Sequence, residues 1–210
     1  MTTLVIIAKE PLPGKAKTRL HPPLSLEQAA ELASAAIDDT LLAMKDVPAT
    51  RRILFFDGDN APALAEGYEV VAQPEGGLDE RLGAIFDLCS GEPMILIGMD
   101  TPQATGEHLA EVFDAWPADA DAWFGPASDG GWWALGMRDP RGDLIRGVPM
   151  SRDDTGALQL ERLRDAGLTV RTLPTLTDVD TIDDADEVAG GRPELRFSSA
   201  LAAFLTGARR

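Results

Sequence analysis

Seven short apolar runs, several rich in β-branched residues, alternate with longer stretches of helical period, and this alternation constrains the fold more than any other feature. The runs are TLVIIA (3–8), RILFF (52–56), EVVA (69–72), MILIG (94–98), AWFG (122–125), WWALGM (132–137) and TVRTL (169–173). Strands alternating with helices imply βαβ units around a mostly parallel sheet. Several runs are apolar throughout, as strands covered on both faces must be. Residues 25–46 set Leu26, Ala29, Ala30, Leu32, Ala33, Ala36, Ile37, Leu41 and Met44 on a broad apolar stripe, with Ser25 and Gln28 spaced as a capping box. Further helices are expected near 80–88, 107–116, 155–166 and 194–205, and one after Thr181, which is placed to cap it. The expectation is an α/β fold with helices on both faces of the sheet. With no repeat, low-complexity tract or long linker, residues 1–210 read as a single domain.

Charge narrows the function. The chain carries 35 Asp and Glu against 19 Lys and Arg, a formal net charge of -16, which repels nucleic acid and anionic membrane surfaces and favours small ligands. Cys89 is the one cysteine, so no internal disulfide is possible, and its apolar surroundings make it a core thiol. Two histidines do not make a zinc site. No apolar run approaches the ~20 residues of a membrane span, and the N-terminus lacks the pattern of a secretory leader. A reducing cytoplasm is the expected compartment.

Against this acidic background, AKEPLPGKAKTRL (8–20) gathers Lys9, Lys15, Lys17 and Arg19 directly after the first apolar run. A solvated lysine-rich loop is the plain alternative. Pro11, Pro13 and Gly14 stiffen the turn, however, and the cations recur on alternate residues, which suits a di- or triphosphate. The loop is neither a GxGxxG turn nor a P-loop, since Ala16 follows Gly14-Lys15. A phosphate so charged brings a divalent cation, which takes carboxylate ligands. MILIGMDTP offers Asp100 beyond a buried strand, and LPTLTDVDTIDDADEV offers Asp178 and Asp180.

KEPLPGKAKTRL, QPEGGLDERL, IGMDTP, GPASDGGWWALGM and DVDTIDDADEV, in this order over residues 9–188, resemble the bacterial glycosyltransferase-A-fold proteins labelled arsenosugar-biosynthesis-type glycosyltransferases. The first and last also resemble the 2-phospho-L-lactate guanylyltransferases. The resemblance implies a Rossmann-like nucleotide-diphospho-sugar transferase fold. By position it makes Lys9, Lys15, Lys17 and Arg19 phosphate ligands, with Gly14 and Thr18 in the same loop, and sets Gly77 and Arg81 on the nucleotide side. It makes Asp100, with Asp178 or Asp180, the ligands of Mg²⁺ or Mn²⁺. The chain departs from the pattern at Met99, at Trp132 and Trp133, and over PMSRDDT (149–155), mainly on the acceptor side.

That side is SDGGWWALG, where Gly130-Gly131 lets a ligand approach the backbone. Adjacent tryptophans on a strand face opposite ways, so one of Trp132 and Trp133 is core and the other is either a substrate lid or core. Asp129 orients an acceptor hydroxyl, acts as its base, or fixes the turn. Ser151, Arg152 and Asp154 are candidates for the opposite wall. Lys17, Arg19 and Asp129 are therefore the candidate catalytic residues. Glycosyl transfer from a nucleotide-sugar donor to a small-molecule acceptor, nucleotidyl transfer with release of pyrophosphate, and nucleotide binding without turnover are the three functions this pattern allows.

Overall fold

The computed structural model describes residues 2–114 and 116–207. Seven strands form one sheet in the order β3-β2-β1-β4-β6-β5-β7. They are β1 (Thr3–Lys9), β2 (Arg51–Asp57), β3 (Glu69–Ala72), β4 (Met94–Gly98), β5 (Ala122–Pro126), β6 (Trp132–Met137) and β7 (Val170–Thr172). β1 pairs in parallel with β2 and β4, β2 with β3, and β5 with β7. β6 runs antiparallel to both its neighbours, β4 and β5. Five residues join β5 to β6, too few for a crossover, so a hairpin is the only connection they allow.

The helices are α1 (Leu26–Ala43), α2 (Leu78–Leu88), α3 (Ala110–Asp114), α4 (Thr155–Asp165), α5 (Ile182–Gly191) and α6 (Arg196–Gly207). Alternation along β1 explains why its whole run is apolar. Leu4, Ile6 and Ala8 pack with Ala33, Ile37 and Leu41 of α1, whereas Val5 faces the other way, into the cluster holding Leu82, Ile85 and Phe86 of α2 and Leu163 of α4. The breadth of the α1 stripe has a similar cause. Ala29, Leu32 and Ala36 turn from the sheet into a third cluster with Val179, Ala185, Val188, Phe197 and Leu201, so α1 is a middle layer with α5 and α6 outside it.

Both expected caps form. Gln28 N–H donates to Ser25 Oγ at 3.2 Å and Ser25 N–H to Gln28 Oε1 at 2.8 Å, while Thr181 N–H donates to the Asp184 carboxylate at 2.7 Å. The helix expected at 107–116 instead opens as a 3-10 turn, Gly106–Leu109, and continues as α3; residue 115 lies outside the described residues. Cys89 is buried, and burial pushes its thiol up to about 11. Trp133 is buried and donates from Nε1 to the Pro174 carbonyl at 2.9 Å, making it the core member of its pair. Trp123 is also buried, and Trp116 donates to the Ala120 carbonyl at 2.7 Å. No helix among the described residues is long and apolar enough to cross a membrane.

Candidate functional site

Parallel pairing sets Lys9, the last residue of β1, opposite Asp57, the last of β2, and carries β4 to the same edge of the sheet. Because β6 runs the other way, it begins where they end, which brings Asp129 and Trp132 to that edge. A cleft of about 930 Å³ opens there. Crevices beyond the carboxyl ends of strands are where open α/β sheets bind ligands.

The basic loop forms one wall. Its turn needs Gly14, whose φ is +75°, and it is anchored by Ala16 and Leu20, both fully buried. Lys17 has φ +49°, a left-handed conformation uncommon for a side chain with a Cβ, and this turns it inward. Its side chain is only 7% exposed, and Nζ lies 2.7 Å from Asp100 Oδ1 and 3.4 Å from Asp180 Oδ1. The ammonium also donates to the Val179 carbonyl. Burial works to lower the Lys17 pKa, but the charges of Asp100, Asp178 and Asp180 outweigh it and hold the pKa above its ordinary value. Arg19 reaches the other Asp180 oxygen, Oδ2, at 3.0 Å from a largely exposed position. Among the described residues, no carboxylate lies within ion-pair distance of Lys9 or Lys15.

The three aspartates come from two segments stitched together by Val179 N–H, which donates to the Asp100 carbonyl at 2.9 Å. Burial, followed by the negative charge of Asp100, pushes the Asp178 carboxyl well above the usual carboxylate range. Asp100 Oδ1 is buried and, although ion-paired with Lys17, is not aligned to accept a hydrogen bond. Hard carboxylate oxygens of this kind, one with unused acceptor capacity, fit Mg²⁺ or Mn²⁺. As the side chains stand, no group of three or more acidic, His or Cys residues among those described is close enough to hold a metal, and it is Lys17 that the aspartates contact.

Of the residues singled out in the sequence, Lys9, Lys15, Lys17, Thr18, Arg19, Arg81, Asp100, Asp129, Asp178 and Asp180 line the cleft; Gly14 and Gly77 do not. Gly14 shapes the loop, and Gly77 is the N-cap of α2. Arg81 donates to Asp57 Oδ2 at 2.8 Å and to the Gly76 carbonyl at 3.0 Å. Gln73 Nε2 donates to the Ala8 and Phe55 carbonyls, both at 3.0 Å. Asp57 and Gln73 escaped the sequence reading. Asp57 had a usable signal, since it closes an apolar strand much as Asp100 follows one.

On the opposite wall, Asp129 Oδ1 accepts from Gly131 N–H at 2.8 Å, so the side chain fixes its own turn while facing the cleft. Trp132 lines the cleft, as do Ser151, Arg152, Asp153 and Thr155. Asp154 does not; it is paired with the Arg152 guanidinium at 2.8 Å.

The fold is that of the nucleotide-diphospho-sugar transferases. A Desulfovibrio desulfuricans G20 protein assigned provisionally to that class is 24% identical, superimposes with a TM-score of 0.85 and is covered over 96% of its length by 99% of this chain. A nucleotidyl transferase from Methanothermobacter thermautotroptrophicus is 16% identical, with a TM-score of 0.57 over 91% of this chain and 97% of its own. Glucosyl-3-phosphoglycerate synthase from Mycobacterium tuberculosis, in complex with Mn²⁺, UDP and phosphoglyceric acid, is 12% identical, with a TM-score of 0.52 over 84% of this chain and 69% of its own. No curated protein matches the sequence. The model of one family matches residues 37–152, and the chain belongs to that family, DUF2064, described as an uncharacterized protein conserved in bacteria.

Proposed function

We propose that the chain is a divalent-metal-dependent transferase that moves a glycosyl group from a nucleotide-diphospho-sugar to a small-molecule acceptor. One observation carries this reading: a basic loop and three aspartates from separate segments converge on a single cleft at the carboxyl edge of the sheet. Lys9, Lys15 and Arg19 bind and orient the donor's diphosphate, with Lys17 and Thr18 beside them. Asp100, Asp178 and Asp180 hold the cation, which supplies charge neutralisation for the departing diphosphate when bound. Fixed cations in a cleft act mainly through positioning and electrostatics, with little reorganisation as charge develops. Arg81, Asp57 and Gln73 lie toward the nucleotide end. The Asp129 oxygen not committed to its turn is the base that takes the acceptor hydroxyl's proton. The resemblance to the arsenosugar-type glycosyltransferases favours this chemistry, and the UDP and Mn²⁺ held by the mycobacterial neighbour agree with it.

Nucleotidyl transfer is the second reading. Four cationic side chains in one loop suit a triphosphate, as the resemblance to the guanylyltransferases also suggests. The two readings differ in what is released. A thermal-shift panel of nucleoside triphosphates and nucleotide sugars, with and without Mg²⁺ or Mn²⁺, identifies the donor, because a ligand that binds only the folded state raises its stability. Stabilisation by one nucleotide sugar and its parent diphosphate, with free diphosphate as the product, is expected. Pyrophosphate release would establish the second reading, and no shift with any nucleotide would sink both.

A further inference from the structure

Lys17 is the least expected member of the loop. Lys9 and Lys15 line the cleft and Arg19 reaches Asp180 from an exposed position, yet the Lys17 ammonium is buried against Asp100, Asp180 and the Val179 carbonyl. Two of those contacts are carboxylates that the functional reading assigns to the metal.

We propose that Lys17 and the divalent cation compete for the same carboxylates, so that metal entry expels the ammonium into the cleft, where the donor phosphates receive it. Three observations support the exchange. Nζ lies 2.7 Å from Asp100 Oδ1, so its positive charge opposes a cation that approaches the same oxygen. Among the described residues the aspartates do not form a ready metal cluster as the side chains stand, and Lys17 contacts two of them. The backbone of Lys17 is left-handed, an unfavourable conformation for a residue with a Cβ that is offset while the ammonium is held by its partners. Thr18 and Arg19 follow on a short 3-10 turn anchored by buried Leu20, so the Lys17 side chain can swing while its neighbours stay fixed. The device makes metal and donor binding mutually reinforcing, since the metal frees a phosphate ligand and the phosphate keeps that ligand from returning.

This inference rests on the metal-binding part of the functional reading, and its test reads binding, not turnover. Free Mn²⁺ is followed by electron paramagnetic resonance during titration of the wild type and Lys17→Met, without nucleotide. The variant is expected to bind Mn²⁺ roughly tenfold more tightly or better, the scale of losing a competing charged hydrogen bond. In parallel, the wild type is acetylated with an N-hydroxysuccinimide ester and Lys17 is read by peptide mass spectrometry. Lys17 is expected to be protected in EDTA and to become reactive in saturating Mn²⁺. Equal or weaker Mn²⁺ binding by a folded Lys17→Met protein overturns the proposal, as does protection that Mn²⁺ leaves unchanged. If the variant does not fold, the labelling of the wild type decides alone. If the wild type binds no Mn²⁺, the competition falls together with the metal assignment, and product release measured in EDTA then shows whether the transferase reading survives.

Discussion

Gly130 passes so close to Asp153 that a Cβ built on it would stand 1.9 Å from the Asp153 carbonyl oxygen. Gly156 repeats the relationship from the other side: its N–H donates to the Gly130 carbonyl at 2.8 Å, and a Cβ there would lie 2.5 Å from the Gly131 oxygen. The turn that carries Asp129 and the first residues of α4 are therefore clamped backbone against backbone, with no flexible side chain between them to yield. Gly130 also has φ +88°. Gly130→Ala is expected to cost about 1–2 kcal/mol for conformation alone, and more once Asp153 is pushed away. Calorimetry should show Tm lowered by at least roughly 4 °C. A Tm equal to wild type would mean that the two segments separate freely.

A second joint involves no residue that lines the cleft. Asp39, buried in α1, accepts hydrogen bonds from the first two N–H groups of α6, Arg196 at 3.1 Å and Phe197 at 2.9 Å. An N-terminal acceptor of this kind is worth about 1–2 kcal/mol, and its loss also leaves those donors short of a partner. Asp39→Ala should lower urea stability by that amount and speed hydrogen exchange in α6 before the rest of the fold. Asp39→Asn, which keeps an acceptor, should lose less. Exchange in α6 at the wild-type rate in Asp39→Ala would show that the helix is held by its apolar face alone.

How far the sequence disclosed this molecule depends on which forces local pattern records. Strands buried on both faces leave continuous apolar runs, so β1, β2 and β4 were readable to within a residue or two. Capping residues signal at fixed spacing, so Ser25 and Thr181 were legible. The gathering of Lys9, Lys15, Arg19, Asp100 and Asp180 followed from their places beyond strand ends in an α/β fold. The inward turn of Lys17 did not, because three cations on alternate residues look alike until one adopts a left-handed backbone. The 3-10 opening before α3 was hidden as well, since Thr105 and His108 satisfy each other by a contact that helical period does not record. The N-cap position of Gly77 was hidden too, because a glycine offers no capping side chain to signal it.

His108 links that turn to pH. Its Nδ1 accepts the Thr105 N–H at 3.0 Å, and its ring lies edge-on to Trp133 at 6.2 Å. Burial, with help from the Arg192 charge and against that of Glu107, holds its pKa below the ordinary value of 6.5. The unfolded chain thus takes the proton first as pH falls. The histidine's contribution to stability is present above the unfolded pKa and is lost as pH drops through the lower folded pKa. An NMR titration of the two histidine rings, assigned with His108→Asn, should give a folded midpoint for His108 below 6.5. The variant should lose part of the wild type's fall in stability between about pH 7 and 5. A folded midpoint above the unfolded value would reverse the sign and refute this account.

Asp100→Asn separates charge from shape at the centre of the site. The amide keeps the volume of the carboxylate, and Lys17 keeps its contacts with Asp180 and the Val179 carbonyl, so the folded structure should persist. What disappears is the anionic charge on the buried Oδ1, and with it the 2.7 Å ion pair to Lys17. If that oxygen serves a divalent cation, the variant should lose the metal-dependent part of any nucleotide-induced thermal shift. A metal-independent part, arising from Lys9, Lys15 and Arg19, should remain. Turnover should fall by roughly a hundredfold or more, the scale seen when a fixed group that stabilises developing charge is removed. Arg19→Ala makes the complementary case, because its guanidinium is largely exposed and its pairing with Asp180 adds little stability. That variant should melt near wild type and bind the donor more weakly whether or not metal is present. If Asp100→Asn retained the full metal-dependent shift, the cation would have to be held elsewhere, and the cluster around Lys17 would be an ion-pair network that positions the loop.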